Sequence, residues 1–303
     1  MSALIAHTSW SQRLAELGLL REHELMARHT TLAVGGPARW FFRPTDAASL
    51  IAAISLLPSE LTIMPLGRGS NLLVADRGID AVVVDLSDLN HIRFDACHVL
   101  AGAGVRMSRL ARLAAEHGLT GCEFLATVPG DIGGGVAMNA GAYAQQISDT
   151  LLSVELLQRS GTVTKVTVDE LMMAYRCTHL PVDAIVLSAS FKFEPGHPDE
   201  IRERIRSMRH RRSATQPLAL PNCGSVFKNP KGEHAARLLE AAGLKGFSIG
   251  GASISAQHAN FIVNEGEASS GDIAALITQA KKVVKEKFNI ELETEVRMLG
   301  EWL

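Results

Sequence analysis

The stretch Val128-Pro129-Gly130-Asp131-Ile132-Gly133-Gly134-Gly135, followed by Met138-Asn139-Ala140-Gly141-Ala142-Tyr143, is the most informative part of this chain. Three consecutive glycines cost backbone entropy, so such a run persists where a ligand or another backbone lies against it. It falls in a window, Gly118 to Gly141, that holds seven glycines in 24 residues. A second glycine stretch, Gly67-Arg68-Gly69-Ser70-Asn71-Leu72-Leu73, follows Ile63-Met64-Pro65-Leu66, which reads as a short strand. There the glycines let backbone N–H groups converge on an anion, and Ser70 and Asn71 add side-chain donors. A β-turn with glycine at positive φ satisfies the same spacing, so spacing alone leaves both readings open.

Around these loops, strand and helix signals alternate. Residues 9–27 read as an amphipathic helix, with Leu14, Leu17, Leu20 and Leu25 among charged residues, ahead of Gly35-Gly36-Pro37. Trp40-Phe41-Phe42 predicts a strand, Asp46 a cap for a helix to about Leu57, and Ala81-Val82-Val83-Val84 a buried strand. Val99 to Ala103 repeats the strand signal, and a helix from Met107 to His117 stops at Gly118. Further strands are expected at 150–157, 162–168 and Ile185 to Phe193, and Glu194-Pro195-Gly196-His197-Pro198-Asp199 marks a boundary before a basic helix. A turn at Asn222-Cys223-Gly224, helices near 233–242 and 270–287, and a strand around 291–298 complete a mixed α/β organisation without internal repeats.

Composition narrows the function. A chain of 303 residues, 47% hydrophobic and 20% charged, suits about two domains with a large core and excludes disorder. With 30 Lys and Arg against 32 Asp and Glu, the overall field recruits neither nucleic acid nor an anionic membrane, so any anion must be held locally. The six arginines between Arg202 and Arg212 alternate with Glu200 and Glu203 and lack interleaved aromatics, which fits a solvated face or a rim for a small anion. Cys97, Cys122, Cys177 and Cys223 form no CxxC pair, so no metal is expected and the thiols fit a reducing cytosol. With no signal peptide and no run of 18 apolar residues, a cytoplasmic protein is expected. Gly102 and Gly104 follow a strand, but Met107 stands where GxGxxG needs its third glycine, and no GxxxxGK[ST] occurs.

Four short segments carry groups suited to chemistry: Tyr175-Arg176, Gly224-Ser225-Val226-Phe227-Lys228-Asn229-Pro230, His258-Ala259-Asn260-Phe261 and Glu293-Thr294-Glu295-Val296-Arg297. A serine without an adjacent histidine base is a poor nucleophile, yet it serves as a proton donor once a cation and a carboxylate surround it. Taken singly, Arg176 reads equally as an ion-pair partner, Ser225 as a turn residue and Glu295 as one face of an exposed strand.

In this order, over about nine-tenths of the chain, the motifs resemble the UDP-N-acetylenolpyruvoylglucosamine reductase (UDP-N-acetylmuramate dehydrogenase) family, in its shorter second type. The resemblance rests on His29-Thr30-Thr31 with Val34-Gly35-Gly36-Pro37-Ala38, both glycine stretches, the Ser225 segment, Ala241-Ala242-Gly243-Leu244-Lys245-Gly246, His258-Ala259-Asn260-Phe261-Ile262-Val263-Asn264 and Leu292-Glu293-Thr294-Glu295-Val296-Arg297. It implies an α+β fold: a two-lobed FAD-binding region of the vanillyl-alcohol-oxidase (PCMH) type, at 1–86 and 87–197, then a linker helix and an α+β substrate-binding domain at 198–303. It implies an NADPH-dependent flavoprotein oxidoreductase that reduces UDP-N-acetylglucosamine enolpyruvate to UDP-N-acetylmuramate. That places the chain in peptidoglycan precursor synthesis, and so in cell-wall biogenesis, cell shape and division, as a cytoplasmic monomer without nucleic-acid or membrane partners.

The implied roles follow residue by residue. Ser225 is the acid, and Arg176 and Glu295 orient the substrate carboxylate; burial would favour a protonated Glu295. Non-covalent FAD lies on Gly67, Arg68, Gly69, Ser70, Asn71, Leu72, Pro129, Gly130, Ile132, Gly133, Gly134, Asn139, Gly141 and Ala142. Tyr175, Lys228 and Asn229 contact substrate or nicotinamide nucleotide. Three positions depart from the family pattern: His29 for Asn, Asp131 for Ser or Thr, and Gln257 for Lys. The Asp131 carboxylate repels a pyrophosphate unless it points away. Two rival readings are an FAD oxidase of the same fold using O₂, and a nucleotide-sugar binding protein without turnover.

Overall fold

A computed structural model describes residues 2–302, with side chains described from Trp10 onward. The chain forms two compact units, one of Met1–His23, Trp40–Gly67 and Ala81–Arg209, the other of Glu24–Arg39, Arg68–Asp80 and His210–Leu303.

In the first unit one sheet runs in the order Gly18–Leu25, Pro37–Pro44, Ile79–Asp85, Ile63–Leu66, the last two strands parallel. Val82, Val83 and Val84 are all buried, as a continuous apolar run covered on both faces requires. The helix Ala47–Leu56 begins where Asp46 accepts the Ser49 N–H at 2.7 Å. A second, antiparallel sheet runs Val163–Thr167, Leu151–Leu157, Ile185–Lys192, His98–Gly102, Ile92–Asp95. The helix Met107–Glu116 buries Met107, Leu110, Ala111 and Ala114, one helical stripe, and Gly118 follows at φ +66°. One apolar core extends from Trp10 to Ile205.

The second unit has its own core, in which Leu238, Leu239, Leu276, Ile277 and Val284 meet Ile254 and Ile262. The helix Ser270–Phe288 opens with a reciprocal Ser269–Asp272 cap and closes at left-handed Asn289. Asp76 accepts the N–H groups of Ser270 and Gly271, each at 2.9 Å. Ser248–Ile249, Ala252–Ile254 and Ile262–Asn264 form a small antiparallel sheet, and Leu72–Val74 pairs in parallel with Arg297–Leu299.

The structure departs from the sequence reading in four places. The helix expected over 9–27 stops at Leu17, and Gly18–Leu25 is a strand. Gly18 packs on the backbone of Arg43, where a β-carbon would overlap the carbonyl, and Leu19 and Leu25 are exposed instead of lining a helix face. The strand expected around 291–298 reduces to Arg297–Leu299, with Thr294 in a single bridge to Phe227. The three glycines lie within a short helix, Ile132–Ala137, rather than in a loop. The two units also cut the chain differently from the division 1–86, 87–197 and 198–303. Residues 24–39 and 68–80 join the second unit, because Leu32, Val34 and Leu73 are buried in its core, and the first unit runs on to Arg209.

Candidate functional site

In the first unit Gly67, where one glycine stretch begins, lies beside Asp131 of the other. Gly67 follows the strand Ile63–Leu66, and a β-carbon there would stand 3.6 Å from Oδ2 of the buried Asp131. The N–H groups of Ile132 and Gly133 donate to the carbonyls of Val105 and Ala103 at 2.9 and 2.8 Å. The carbonyl of Gly130 accepts from the Met107 N–H at 3.1 Å, which fixes the Pro129-Gly130 turn to the start of its helix. A β-carbon at Gly133 would lie 2.9 Å from Cβ of Ala103, and one at Gly135 would lie 2.7 Å from Cδ1 of Ile147. At Gly134 it would meet no heavy atom within 4 Å. The outer glycines of the triplet are therefore packing positions, and the middle one borders open space.

Asn139 is wholly buried. Its Nδ2 donates to Oε1 of Gln146 at 3.1 Å and to the Ala174 carbonyl at 2.9 Å, and its Oδ1 accepts from the Ser148 N–H at 3.1 Å. Gly141–Ala142 pairs with Gln145–Gln146 across Tyr143 and Ala144, both left-handed, as a two-residue hairpin turn of this hand requires. Arg176 Nη2 donates to the Gly141 carbonyl at 2.7 Å, and its guanidinium lies 5.3 Å from the ring centre of the exposed Tyr175. One candidate catalytic cation is thereby tied to a candidate cofactor-binding segment.

The helix Pro198–Thr215 carries its arginines mainly in short-range pairs, Arg202 with Asp199 at 2.7 Å and Arg206 with Glu203. Arg204 instead reaches the buried Glu123 at 2.9 Å. Burial alone would raise the Glu123 pKa. Hydrogen bonds from Thr120, its own N–H, Arg204 and Gly121 outweigh it and hold the carboxyl below the ordinary glutamate value.

The remaining candidates belong to the second unit. Gly69 sits at φ +59°, and a β-carbon would overlap the His29 carbonyl, so only glycine lets the His29-Thr30-Thr31 turn close on this loop. Thr31 N–H donates to the Gly69 carbonyl at 3.3 Å, and His29 Nε2 lies 3.0 Å from the buried Glu24 carboxylate. Between Arg68 and Leu72, Asn71 turns toward the C-terminal segment: Nδ2 donates to the Glu295 carbonyl at 3.0 Å, and its own carbonyl accepts from Arg297 N–H at 3.0 Å. Leu72 stands opposite Arg297 in the parallel pair.

Ser225 is half-buried at the head of a segment paired with residues 293–295. Glu295 N–H donates to the Val226 carbonyl at 2.8 Å, Thr294 bridges Phe227, and Lys228 N–H donates to the Glu293 carbonyl at 2.9 Å. Lys228 Nζ pairs with Glu293 Oε1 at 2.5 Å, and Asn229 Oδ1 accepts the Ala235 N–H at 3.1 Å, which caps the helix Ala235–Ala241. Burial, reinforced by the Glu295 carboxylate, pushes the Cys223 thiol up to about 12, which keeps it protonated and out of nucleophilic chemistry. Glu295 thus stands beside Val226, one residue past Ser225, whereas Arg176 belongs to the first unit. Two participants lie in segments that the sequence marks without assigning them a role: Glu293, the partner of Lys228, and Asn260, a polar residue buried in the apolar run that continues through Phe261-Ile262-Val263.

Comparison with known proteins agrees over both units. A family profile described as "FAD binding domain" matches residues 38–167, and one described as "UDP-N-acetylenolpyruvoylglucosamine reductase, C-terminal domain" matches residues 216–299. The UDP-N-acetylenolpyruvoylglucosamine reductase of Agathobacter rectalis is 39% identical, covering 97% of this chain and 98% of that protein. The one from Caldanaerobacter subterraneus subsp. tengcongensis is 41% identical, covering 94% and 95%. The crystal structure of UDP-N-acetylenolpyruvylglucosamine reductase from Thermus caldophilus superposes with a TM-score of 0.81 at 34% identity, covering 93% of this chain and all of that one.

Proposed function

The chain belongs to the UDP-N-acetylenolpyruvoylglucosamine reductase family, and from that premise we infer that Ser225, Glu295 and Arg176 are its catalytic residues. The enzyme is an FAD-containing oxidoreductase that makes UDP-N-acetylmuramate for peptidoglycan. Bound FAD supplies a relay, taking hydride from NADPH and giving it to C3 of the enolpyruvyl ether of UDP-N-acetylglucosamine.

The residues present fit that cofactor. Gly134 borders space that a larger side chain would fill, whereas Gly67 has the buried Asp131 carboxylate against it, a neighbour that disfavours a pyrophosphate on that side of the loop. The 67–72 stretch, Pro129, Gly130, Gly134, Gly141 and Ala142 would hold it, with Ile132, Gly133 and Asn139 shaping the cradle through the internal hydrogen bonds described above.

Hydride addition at C3 develops negative charge on C2 and the adjoining carboxylate. That charge needs a fixed cation and an acid. Arg176, held by the Gly141 carbonyl, binds the carboxylate; Glu295 orients it; and the Ser225 hydroxyl delivers the proton to C2. A neutral serine is a weak acid, so the preorganised charge around it must do much of the work. Tyr175, Lys228 and Asn229 contact the substrate or the nicotinamide nucleotide, Lys228 by exchanging Glu293 for a phosphate. We place the enzyme in the cytoplasm as a monomer. Its four free cysteines suit a reducing compartment, each unit closes its own core, and among the described residues no helix is long and apolar enough to cross a membrane.

The observation that carries the catalytic reading is the Glu295–Val226 backbone hydrogen bond, which sets a carboxylate-bearing residue beside the serine segment. Its test is the anaerobic visible spectrum of the FAD-loaded protein. Bleaching by NADPH and recovery on adding the enolpyruvyl UDP-sugar are expected; recovery with O₂ alone would assign another substrate.

A further inference from the structure

We propose that Asn260 is a positioning residue that fixes the Ser225 segment against Glu295. The inference rests on the assignment of Ser225 and Glu295 above and adds a residue to which no role has been given.

Asn260 Oδ1 accepts the Phe227 N–H at 2.9 Å, and Asn260 Nδ2 donates to the Phe227 carbonyl at 2.8 Å. One carboxamide thus satisfies both backbone groups of a single residue, imitating the edge of a neighbouring strand. The Asn260 main-chain carbonyl also accepts the Val226 N–H at 2.9 Å. Val226 passes the restraint on, because its own carbonyl accepts from Glu295 N–H at 2.8 Å. The 226–227 backbone is therefore clamped between Asn260 on one side and residues 294–295 on the other, directly after Ser225.

Asn260, Val226 and Phe227 are each at most 4% exposed, so bulk water does not compete for these bonds in the intact protein. Asn260 is itself held, since its N–H donates to Nδ1 of His258 at 3.3 Å. That bond needs an unprotonated Nδ1, and burial keeps the His258 imidazole below its usual pKa. The other face of the segment is fixed independently by Asn71 on the Glu295 carbonyl. Removing Asn260 therefore frees the serine side of the pair while the Glu295 side keeps its anchor.

The test uses the full-length, FAD-loaded protein in four forms: wild type, Asn260→Ala, Asn260→Asp and Leu276→Ala. Leu276 is fully buried in the core of the same unit, so its variant controls for lost stability alone. FAD content, Tm, and the anaerobic rates of bleaching by NADPH and of recovery with the enolpyruvyl UDP-sugar are measured in each. In Asn260→Ala, bleaching and FAD content stay near wild type while recovery slows about 100-fold, the scale of a small misplacement of a reacting group. Asn260→Asp keeps an acceptor for Phe227 N–H but sets a carboxylate oxygen, in place of the donor, against the Phe227 carbonyl, so its recovery slows as well. Leu276→Ala recovers at the wild-type rate despite its lower Tm.

Recovery at the wild-type rate in both Asn260 variants overturns the proposal, as does a fall in both half-reactions by one common factor. Should Asn260→Ala yield no folded protein, Asn260→Asp decides by the same criterion. Ser225→Ala and Glu295→Gln, run in parallel, separate the two levels. If those variants recover normally, the catalytic assignment fails and this inference with it; if they are slow while the Asn260 variants are fast, only this inference fails.

Discussion

Asn71 Nδ2 donates to the main-chain carbonyl of Glu295 at 3.0 Å, and Asn71's own carbonyl accepts from Arg297 N–H at 3.0 Å. A residue of the stretch from Gly67 to Leu73 therefore braces the C-terminal carboxylate segment. Asn71→Ala leaves the part-buried Glu295 carbonyl without this donor, at a cost of about 0.5–1.5 kcal/mol. The expected outcome is a recovery half-reaction slowed more strongly than FAD binding is weakened. Titrating FAD by fluorescence and measuring single-turnover rates on one preparation checks it; a loss confined to FAD affinity would make Asn71 a cofactor contact alone.

The glycine triplet separates packing from binding. Gly133→Ala places a methyl group 2.9 Å from Cβ of Ala103, and overpacking of this kind costs about 1–3 kcal/mol. Gly134→Ala meets no protein atom and replaces a helical glycine, so the ligand-free protein should gain up to about 1 kcal/mol. Its FAD affinity should nonetheless fall, because the methyl occupies space left for the cofactor. Melting curves with and without FAD decide the matter: a Gly134→Ala variant that binds FAD as tightly as wild type would move the cofactor away from this residue.

Glu123 links stability to pH. Its folded-state pKa lies below the ordinary value of about 4.3, so its contribution is fully present above that pH and is lost as pH falls through the lower folded value. Burial opposes this shift, and the donors from Thr120, Arg204 and Gly121 outweigh it. In Glu123→Gln, Tm should be lower at neutral pH and should fall less steeply on acidification below about pH 4.5 than in wild type. Parallel acid limbs in the two proteins would remove Glu123 from the acid response.

Much of this architecture is legible in the sequence, and the exceptions have physical causes. Strands such as Ile79–Asp85 and the helices Met107–Glu116 and Ser270–Phe288 announce themselves through apolar periodicity and local caps. Gly18–Leu25 does not, since Leu20 and Leu25 continue a helical spacing and only the tertiary contact of Gly18 with the Arg43 backbone ends the helix. That residues 24–39 and 68–80 belong with the C-terminal unit follows from where Leu32, Val34 and Leu73 are buried, which no local pattern carries.

The site shows the same division. Glycine stretches and the order of Arg176, Ser225 and Glu295 mark candidate positions, yet the sequence is silent on what each side chain already holds. Asn139 saturates its carboxamide internally, Asn229 caps a helix, and Lys228 pairs with Glu293. Asn260 looks like one polar residue in an apolar run until its two bonds to Phe227 are seen.

The central claim is that Ser225 gives the proton that completes reduction of the enolpyruvyl group. Ser225→Ala, loaded with FAD and followed anaerobically in a stopped-flow spectrophotometer, tests it most directly. The account predicts bleaching by NADPH at the wild-type rate and recovery with the enolpyruvyl UDP-sugar slowed by roughly 100-fold or more, the scale of losing a positioned general acid. Recovery at the wild-type rate would contradict it and leave the serine a turn residue beside Glu295.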